Sequence, residues 1–557
     1  MRNLFYLFFA TSALLFAGCG FSPENAVVCV QLDPLEKVFT EESYFVENPE
    51  TAAVAKGETA TFQFVVRSSF RIQDLRVEAG NLVNGDRQIV PTLKAFVGYI
   101  RAGKHAGDRA GTDINPGVRS RDAVIPPSDY YPDCLQEVET VDVEPMHNQP
   151  VWVTYTIPRD AADGDYAATL VFTGKIDGKP VRITKQVTAR VYPVVLPEQT
   201  LWVTQWYSTG FAKMNNGEPV EAYSDRYWEL YTELAHVMRD HGSNVYLVGR
   251  PGVKADGLQY TFDFTRFDET VEFLIREGGL KRIAGPHLAG RPRGDFGWED
   301  DFEVYVPSVG IRPLSNDTVQ NYLSQFLSAM YNHLETKGWT SMYMQHIADE
   351  PIDQNAASYS RIAEFVKKYM PGVPVVDAIM SRKLANTVNI WVPLLSQYHE
   401  EYPFYQERQA AGDEVWFYTC VVPQVNYANR FLELPLVQTR YLHWINYRYG
   451  ATGYLHWGLN HWGYHDQTND ASALGQTWPG GDAFIVYPAY GKVYSSIRLE
   501  AMRDGLADYE LLKLLERKAP DKAKEMAASV IRHFDNYNNN VRAFRLTRLE
   551  LLKLLSD

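Results

Sequence analysis

Two neighbouring carboxylates, Asp349 and Glu350, end the apolar run in the segment SMYMQHIADEPIDQN, residues 341–355. Like charges this close make each other costlier to ionise unless a site separates their roles. A solvated turn and a catalytic pair both fit these residues. Pro351 follows directly and biases Glu350 towards an extended backbone, in which neighbouring side chains diverge. We therefore expect the two carboxylates to reach different parts of one ligand.

Apolar strand-like runs alternate with amphipathic helices between residues 200 and 487. The eight strand candidates are 201–207, 244–249, 281–286, 341–351, 373–379, 387–393, 414–420 and 451–458. This alternation is typical of a (β/α)₈ TIM-like barrel, in which the active site forms at the carboxyl ends of the strands. The acidic pair then ends the fourth strand. An open doubly wound sheet is the alternative, which the lack of a Gly-rich loop after the first candidate disfavours.

The flanking regions have different patterns. Residues 26–197 alternate apolar and polar positions and contain the hairpin signal KIDGKPV, so they predict an N-terminal β-sandwich. The segment YPVVLPEQ at 192–199 is the predicted boundary. Residues 488–557 carry Leu and Ile at three- and four-residue spacing and predict a C-terminal helical region.

The amino terminus predicts export. Residues 1–18 combine a short basic start with an apolar run too short for a typical membrane span. The run ends in LLFAGC, which resembles a bacterial lipobox with Cys19 as the lipidated residue. We expect a lipoprotein anchored to a membrane through Cys19, on the periplasmic side or at the cell surface. An ordinary signal peptide cleaved nearby is the alternative.

Charge and composition restrict the partners. The formal net charge of −14 argues against nucleic acid as a partner, and the 12 Trp and 35 Tyr residues are compatible with carbohydrate binding. The histidines lack the spacing of paired metal ligands on a helix, and phosphate-loop and serine-hydrolase motifs are absent. We therefore predict no cofactor and no metal.

A retaining glycosidase normally carries its acid/base and its nucleophile on different strands. Candidate strands seven and eight end in Tyr418, His456 and Trp457 rather than in acids, and Asp377 lies inside candidate strand five. Without an obvious distant partner, the adjacent pair fits substrate-assisted chemistry. In that chemistry the 2-acetamido oxygen of the sugar attacks C1, and the protein supplies one acid and one orienting carboxylate.

Four segments together resemble glycoside hydrolase family 123. They are ADEP after a strand, GYLHWGLNHWGY at 453–464, GDAFIVYP at 481–488 and SIRLEAMRDGLADYE at 496–510. The resemblance implies an exo-acting β-N-acetylgalactosaminidase whose substrate is a glycan or glycolipid ending in β-linked N-acetylgalactosamine. It makes Glu350 the general acid/base and Asp349 the residue that positions the acetamido group. Glu350 is then expected to be protonated at rest, and Asp349 ionised.

Further binding candidates lie at the expected strand ends. Trp457 is a candidate platform for the sugar ring, and Tyr418 a candidate donor to the acetamido carbonyl. His346 is expected either to bond Asp349 or to be a satisfied core residue. The remaining candidates are expected to line the pocket or to recognise hydroxyl groups: Asn460, His461, Trp462, Gln205 and Trp206.

Three functions remain open from the sequence. The first is the substrate-assisted N-acetylgalactosaminidase. The second is a barrel glycosidase with a separate carboxylate nucleophile that acts on a sugar without an acetamido group. The third is a non-catalytic surface lipoprotein that binds glycans.

Overall fold

The computed structural model describes residues 23–101 except 44, 46 and 48–50, residues 122–462 except 125, 127, 129 and 308, and residues 480–557. The predicted leader and Cys19 lie outside these residues. Within the described parts, no helix is both long and apolar enough to cross a membrane. The three described cysteines, Cys29, Cys134 and Cys420, form no disulfide with one another.

The amino-terminal part folds into two sheets that enclose an apolar core, because its strands alternate inward apolar and outward polar residues. The first sheet is antiparallel with the order β1-β3-β10-β7-β8, and the second has the order β2-β12-β11-β4-β9, with β5 paired to β11 and β6 paired to β5. The strands are β1 (Val27–Leu32), β2 (Ala52–Lys56), β3 (Thr59–Ser68), β4 (Ile72–Ala79), β5 (Leu82–Asn84), β6 (Arg87–Ile89), β7 (Leu93–Arg101), β8 (Tyr130–Gln136), β9 (Val141–Val143), β10 (Asn148–Thr156), β11 (Gly164–Ile176) and β12 (Lys179–Val195).

The predicted hairpin joins β11 to β12. Asp177 and Gly178 have φ angles of 49° and 74°, and Ile176 pairs with Lys179. Positive φ at both turn residues matches the right-handed twist of the flanking strands.

The next part alternates strands and helices through residue 456. Its elements are β13 (Trp202–Gln205), α1 (Asp225–Asp240), β14 (Val245–Leu247), β15 (Gly252–Asp256), β16 (Gln259–Asp263), α2 (Thr265–Phe273), β17 (Arg282–Gly285), β18 (Ala289–Gly290), β19 (Glu303–Val306), β20 (Gly310–Arg312), α3 (Asp317–Lys337), β21 (Tyr343–Gln345), α4 (Ala356–Tyr369), β22 (Val376–Ala378), β23 (Ile390–Val392), α5 (Leu395–Glu400), α6 (Tyr402–Ala410), β24 (Glu414–Tyr418), α7 (Leu436–Tyr449) and β25 (Gly453–His456).

The eight predicted strands are present as two parallel sheets rather than one continuous sheet. One sheet has the order β13-β25-β24-β23-β22 and the other β14-β17-β21. The (β/α)₈ prediction is therefore confirmed only in part. Residues 379–389, which the structure describes in full, contain only a 3₁₀ turn at Arg382–Leu384, whereas a full (β/α)₈ barrel has a helix between its fifth and sixth strands.

Two features link the parallel sheets. All eight strands contribute to one apolar cluster, together with some of the residues that directly follow them. The cluster contains, among others, Val245, Met344 and Trp416. At the amino-terminal ends of the strands, Arg282 of β17 forms a bidentate ion pair with Glu414 of β24, at 2.7 and 2.9 Å. These contacts bring the inner faces of the two sheets together.

The C-terminal region is helical, as predicted, except at its start. It contains β26 (Tyr487–Ala489), β27 (Lys492–Tyr494), α8 (Ile497–Lys518), α9 (Pro520–Val530), β28 (Ile531–His533), β29 (Asn536–Tyr537) and α10 (Val541–Ser556). The expectation of helix from residue 488 was wrong there, because Gly491 turns the chain at a φ of 70° and Ser496 caps α8. The sequence also predicts a helix over residues 428–448, which in the structure begins only at Leu436.

Arg498 of α8 joins the sandwich to the rest of the protein. Its guanidinium donates to both carboxylate oxygens of Asp133 in β8, at 3.0 and 2.8 Å, and both side chains are fully buried. It also donates to the carbonyl oxygens of Arg430, Gly481 and Phe484. One buried cation thus fixes a sandwich strand and two loops.

We predict that Asp133→Asn destabilises the whole chain. The substitution leaves a buried guanidinium without its counter-charge, which typically costs about 3–5 kcal/mol in the free energy of unfolding. Urea unfolding of wild type and variant measures the difference. The matched control is Asp165→Asn, which breaks an exposed bidentate pair with Arg190 and should change stability little. Equal effects of the two substitutions would contradict the role of the buried pair.

Candidate functional site

The acidic pair lies in a turn beyond the carboxyl end of β21, the fourth parallel strand, from which residues 346–348 separate it. Residues 343–348 are buried, whereas Asp349 is exposed and Glu350 is partly buried. Glu350 has a φ of 47°, in the left-handed region that is uncommon for residues other than glycine. The expectation of an extended backbone at Glu350 was therefore wrong, because Pro351 disfavours the right-handed helical region but leaves the left-handed one available.

Glu350 is held at both its side chain and its backbone. The Tyr418 hydroxyl, from the end of β24, donates to Glu350 Oε1, and Arg291 Nη2 donates to the Glu350 carbonyl oxygen at 2.7 Å. Burial and the nearby Glu350 carboxylate raise the pKa of Tyr418 well above its usual value, so this phenol keeps its proton. Tyr418 ends its strand as the sequence predicts. Its hydroxyl, expected to donate to the acetamido carbonyl of a substrate, donates to Glu350 in this structure.

Asp349 lies among groups of both charges. Burial raises the pKa of its carboxyl, and nearby Asp377 adds to that increase, while His287, His346 and Arg291 oppose it. Asp349 is nevertheless exposed to solvent. The two adjacent carboxylates therefore have different neighbours: a phenol for Glu350 and imidazoles for Asp349.

Asp377, whose direction the sequence left open, points inwards beneath this turn. One carboxylate oxygen accepts from the backbone N–H groups of Ile347 and Ala348, at 2.7 and 3.3 Å, and from the Tyr359 hydroxyl at 2.6 Å. The other accepts from His346 Nδ1 at 2.7 Å. Burial opposes ionisation, but His346 and His287 outweigh it and lower the pKa of Asp377.

Two histidines and Trp206 pack around Asp377. His346 is almost fully buried and bonds Asp377, not Asp349 as one expectation had it. His287 Nε2 lies 3.2 Å from Asp377 Oδ1, and the two imidazole rings are 4.9 Å apart. Trp206 meets both rings edge to face, at 5.7 and 5.9 Å, and its expected role in lining a sugar pocket stays a prediction.

Trp457 lies at the end of β25 and stacks on His461, with ring centroids 5.3 Å apart. Its indole N–H donates to Asp482 Oδ2 at 3.0 Å. Burial raises the pKa of Asp482 from about 3.8 to about 7, although Arg430 opposes the shift. The orientation of Trp457 therefore depends on a buried carboxyl.

Three predicted pocket residues turn into the protein interior instead. Gln205 is 3% exposed and its amide oxygen accepts from the buried Arg430 at 2.7 Å. Asn460 exchanges two hydrogen bonds with the backbone of Ser208, at 2.7 and 2.8 Å. Trp462 is 4% exposed and donates to the Val486 carbonyl oxygen. Their polar groups are already used by the protein, so the structure gives them supporting positions.

Sequence reasoning missed His287 and Arg291. His287 follows β17 after one proline, so the rule that functional side chains follow barrel strands would have found it. Arg291 lies in a loop further on, and its contact with the Glu350 backbone has no sequence signal.

Among the residues that the structure describes, two groups of three side chains bring possible ligand atoms within 4.8 Å of one another: His287 with His346 and Asp377, and His399 with His533 and Asp535. Hydrogen bonds between His346 and Asp377 and between His533 and Asp535, both of 2.7 Å, account for these approaches. We assign neither group to a metal ion, and the expectation of a metal-free site stays a prediction.

We predict a pH-dependent contribution of Asp482 to stability. The folded state keeps a proton on this carboxyl between about pH 4 and 7, where the unfolded chain releases it, so the free energy of unfolding falls as pH rises through that range. Asp482→Asn retains an acceptor for Trp457 and removes the titration. Urea unfolding of the variant should therefore decline less than wild type over this range. Asp86→Asn, in an exposed turn, is the control, and parallel wild-type and Asp482→Asn profiles would contradict the prediction.

Two family models match the chain. Residues 252–515 match the glycoside hydrolase 123 catalytic domain, and residues 40–174 match the glycoside hydrolase 123 N-terminal domain. Together these matches cover more than half of the chain. No curated protein matches the sequence.

Solved structures show where the fold recurs. A family 123 glycoside hydrolase from Clostridium perfringens, studied for glycolipid glycan hydrolysis, has a TM-score of 0.72 at 15% identity and covers 95% of this chain and 97% of its own. Bacteroides uniformis β-glucuronidase 3 has a TM-score of 0.26 at 10% identity, over 74% of this chain and 46% of its own. This TM-score is too low to indicate a shared fold. The Clostridium match shows a shared fold, and the family models confirm the resemblance found in the sequence. The chain belongs to glycoside hydrolase family 123.

Proposed function

We propose that the protein is a retaining glycosidase that releases terminal β-linked N-acetylgalactosamine by substrate-assisted catalysis. The observation that carries the proposal is that two consecutive carboxylates at one strand end have different neighbours. Glu350 is bonded by Tyr418, whereas Asp349 lies among His287, His346 and Arg291. The galacto configuration rests on family membership alone.

Each carboxylate has one role in this mechanism. Protonated Glu350 gives its proton to the glycosidic oxygen while the acetamido oxygen of the substrate attacks C1 and the bond to the leaving group breaks. Asp349 accepts from the acetamido N–H and stabilises the positive charge of the oxazolinium intermediate. Glu350 then takes a proton from a water molecule, which attacks C1, opens the oxazolinium ring and restores the acetamido group. Two inversions give retention, and Tyr418 holds the acid/base through Oε1.

A separate carboxylate nucleophile has no support among the described residues at the strand ends. Asp377 is fully buried and its oxygens accept from backbone amides, a phenol and an imidazole. Asp482 is 2% exposed and bonded to Trp457. Neither can approach a sugar carbon in this arrangement, which favours attack by the acetamido group of the substrate itself.

We also infer that the two parallel sheets act as one barrel around this site. The N–H of Gln345 donates to the Pro374 carbonyl at one junction, at 2.9 Å, and the N–H of Asn244 donates to the Val203 carbonyl at the other, at 3.1 Å. The shared apolar cluster and the Arg282–Glu414 pair support the same closure.

We predict that the two acids fail in different ways when neutralised. Glu350→Gln should lower kcat/KM on a natural glycoside by about 10²–10⁴-fold, because the leaving oxygen loses its proton donor. An aryl glycoside with a good leaving group should suffer less. Asp349→Asn should lower the rate on both substrates by about 10²–10³-fold, since the intermediate loses its anion. Steady-state kinetics on both substrates measure these losses.

Asp353→Asn is the matched control, because Asp353 is an exposed carboxylate three residues further along the same loop. It should keep wild-type activity. Wild-type rates in both acid variants would identify the pair as a solvated turn and remove the proposed mechanism.

The substrate panel separates the alternatives. Wild type should cleave an aryl β-N-acetylgalactosaminide but not the aryl β-galactoside, and a thiazoline mimic of the oxazoline should inhibit it. Cleavage of the galactoside without thiazoline inhibition would support the separate-nucleophile glycosidase instead. Glycan binding without cleavage of either substrate would support the non-catalytic lipoprotein.

We further propose that the protein is exported and anchored to a membrane by lipid on Cys19. Two acyl chains bind a membrane stably, and no helix among the described residues is long and apolar enough to cross one. We predict that Cys19→Ala moves the protein from the membrane fraction to the soluble fraction after cell fractionation. Unchanged membrane association of this variant would contradict lipidation.

A further inference from the structure

We propose that Asp377 is the positioning residue of the catalytic turn and that it acts through the backbone of residues 347–348 and through His346 and His287. The proposal rests on the proposed function, since it assigns Asp377 to the placement of Asp349 as the acetamido-binding group. It gives the imidazoles a task in catalysis that neither the sequence motifs nor the family models assign.

The contacts of Asp377 show how the placement works. Its Oδ2 accepts from the N–H groups of Ile347 and Ala348, the two residues directly before Asp349, at 2.7 and 3.3 Å. A carboxylate bonded to consecutive amides fixes the direction in which the chain leaves β21. The Arg291 bond to the Glu350 carbonyl oxygen, at 2.7 Å, fixes the chain on the other side of Asp349. The turn is therefore held at both ends.

Tyr359 anchors Asp377 from below. Its hydroxyl, carried by α4, donates to Asp377 Oδ2 at 2.6 Å, and both side chains are fully buried. Burial raises the pKa of Tyr359 well above its usual value, so it remains a donor. Helix α4 follows the catalytic turn in the chain, so this bond ties the turn to the next helix as well as to β22.

The imidazoles extend the same network towards the open side of the site. His346 Nδ1 bonds Asp377 Oδ1 at 2.7 Å, and His287 Nε2 approaches the same oxygen at 3.2 Å. The His287 side chain is 25% exposed, and Arg250 donates to its carbonyl oxygen. The Asp349 carboxylate lies near enough to His287 to raise the pKa of this imidazole. A change in the distance between Asp377 and the His287 ring therefore alters the charge around Asp349.

The sharpest test deletes one oxygen from this network. Tyr359→Phe removes the hydroxyl that donates to Asp377 and leaves the buried ring in place. The matched control is Tyr487→Phe, which removes a phenol that donates to the fully buried Asp133 at 2.5 Å, away from the catalytic turn. Both variants lose one buried phenol–carboxylate hydrogen bond, so both should lower the urea midpoint. Only Tyr359→Phe should change the reaction.

We expect Tyr359→Phe to lower kcat on an aryl β-N-acetylgalactosaminide by about tenfold, because a slightly misplaced Asp349 fits the reacting geometry less well. The affinity for the thiazoline should fall in parallel, because both depend on the placement of Asp349. The acidic limb of the kcat/KM profile should shift, since Asp377, His287, His346 and Arg291 all face Asp349. Asp377→Asn should show the same changes with a larger loss, about 100-fold.

Amide hydrogen exchange separates this proposal from the proposed function. In Tyr359→Phe the peptide that contains Ile347 and Ala348 should exchange faster than in Tyr487→Phe, whatever the substrate. Unchanged exchange there, or equal losses of activity in the two phenylalanine variants, would overturn the positioning role of Asp377. A wild type that cleaves no aryl N-acetylhexosaminide would instead overturn the proposed function, and faster exchange would still support the positioning role.

Discussion

The carboxylate of Asp377 is the interaction on which the geometry of the acidic turn depends. An ionised group without solvent contact is costly to bury unless hydrogen bonds satisfy its oxygens. Here two backbone amides, a phenol and an imidazole supply those bonds. Because two of the donors immediately precede Asp349, the requirement to satisfy this buried anion also determines where the exposed acid lies. Stability and site geometry have a common cause.

The acidic turn also needs a rigid frame around it. The acidic turn follows β21 of one parallel sheet, whereas Tyr418 contacts it from β24 and Asp377 from β22 of the other sheet. The site therefore depends on how the two sheets are placed relative to each other. The common apolar cluster and the Arg282–Glu414 pair connect these sheets. A small shift between the sheets would separate Glu350 from its phenol before it disturbed either sheet itself.

Much of this arrangement could be predicted from the sequence, because short apolar runs separated by amphipathic helices indicate parallel strands and their order. The place of Asp349 and Glu350 at the fourth strand end followed from that order. Gln205, Asn460 and Trp462 were harder, since each satisfies a partner distant in sequence: Arg430, the Ser208 backbone or the Val486 carbonyl oxygen. A polar or aromatic residue after a strand has the same sequence signal whether it faces a ligand or the core.

The left-handed backbone of Glu350 also lay beyond sequence reasoning. Proline at the next position excludes one region of conformational space without choosing between the others. Tertiary contacts of the turn, above all the Arg291 bond to the Glu350 carbonyl oxygen, accompany the less common choice. The sequence predicts the position of the pair, whereas its backbone conformation depends on long-range contacts.

The buried Arg498–Asp133 pair means that the amino-terminal sheets are not a detachable accessory. A shortened chain that starts after the sandwich would leave the cation of α8 facing a vacated surface, together with the loop that carries Asp482. A natural or engineered chain with a different amino-terminal domain would need a carboxylate at the position of Asp133. The part of the chain after the sandwich lacks the counter-charge of Arg498 when it is alone. We therefore expect the two parts to be exchanged between proteins only together.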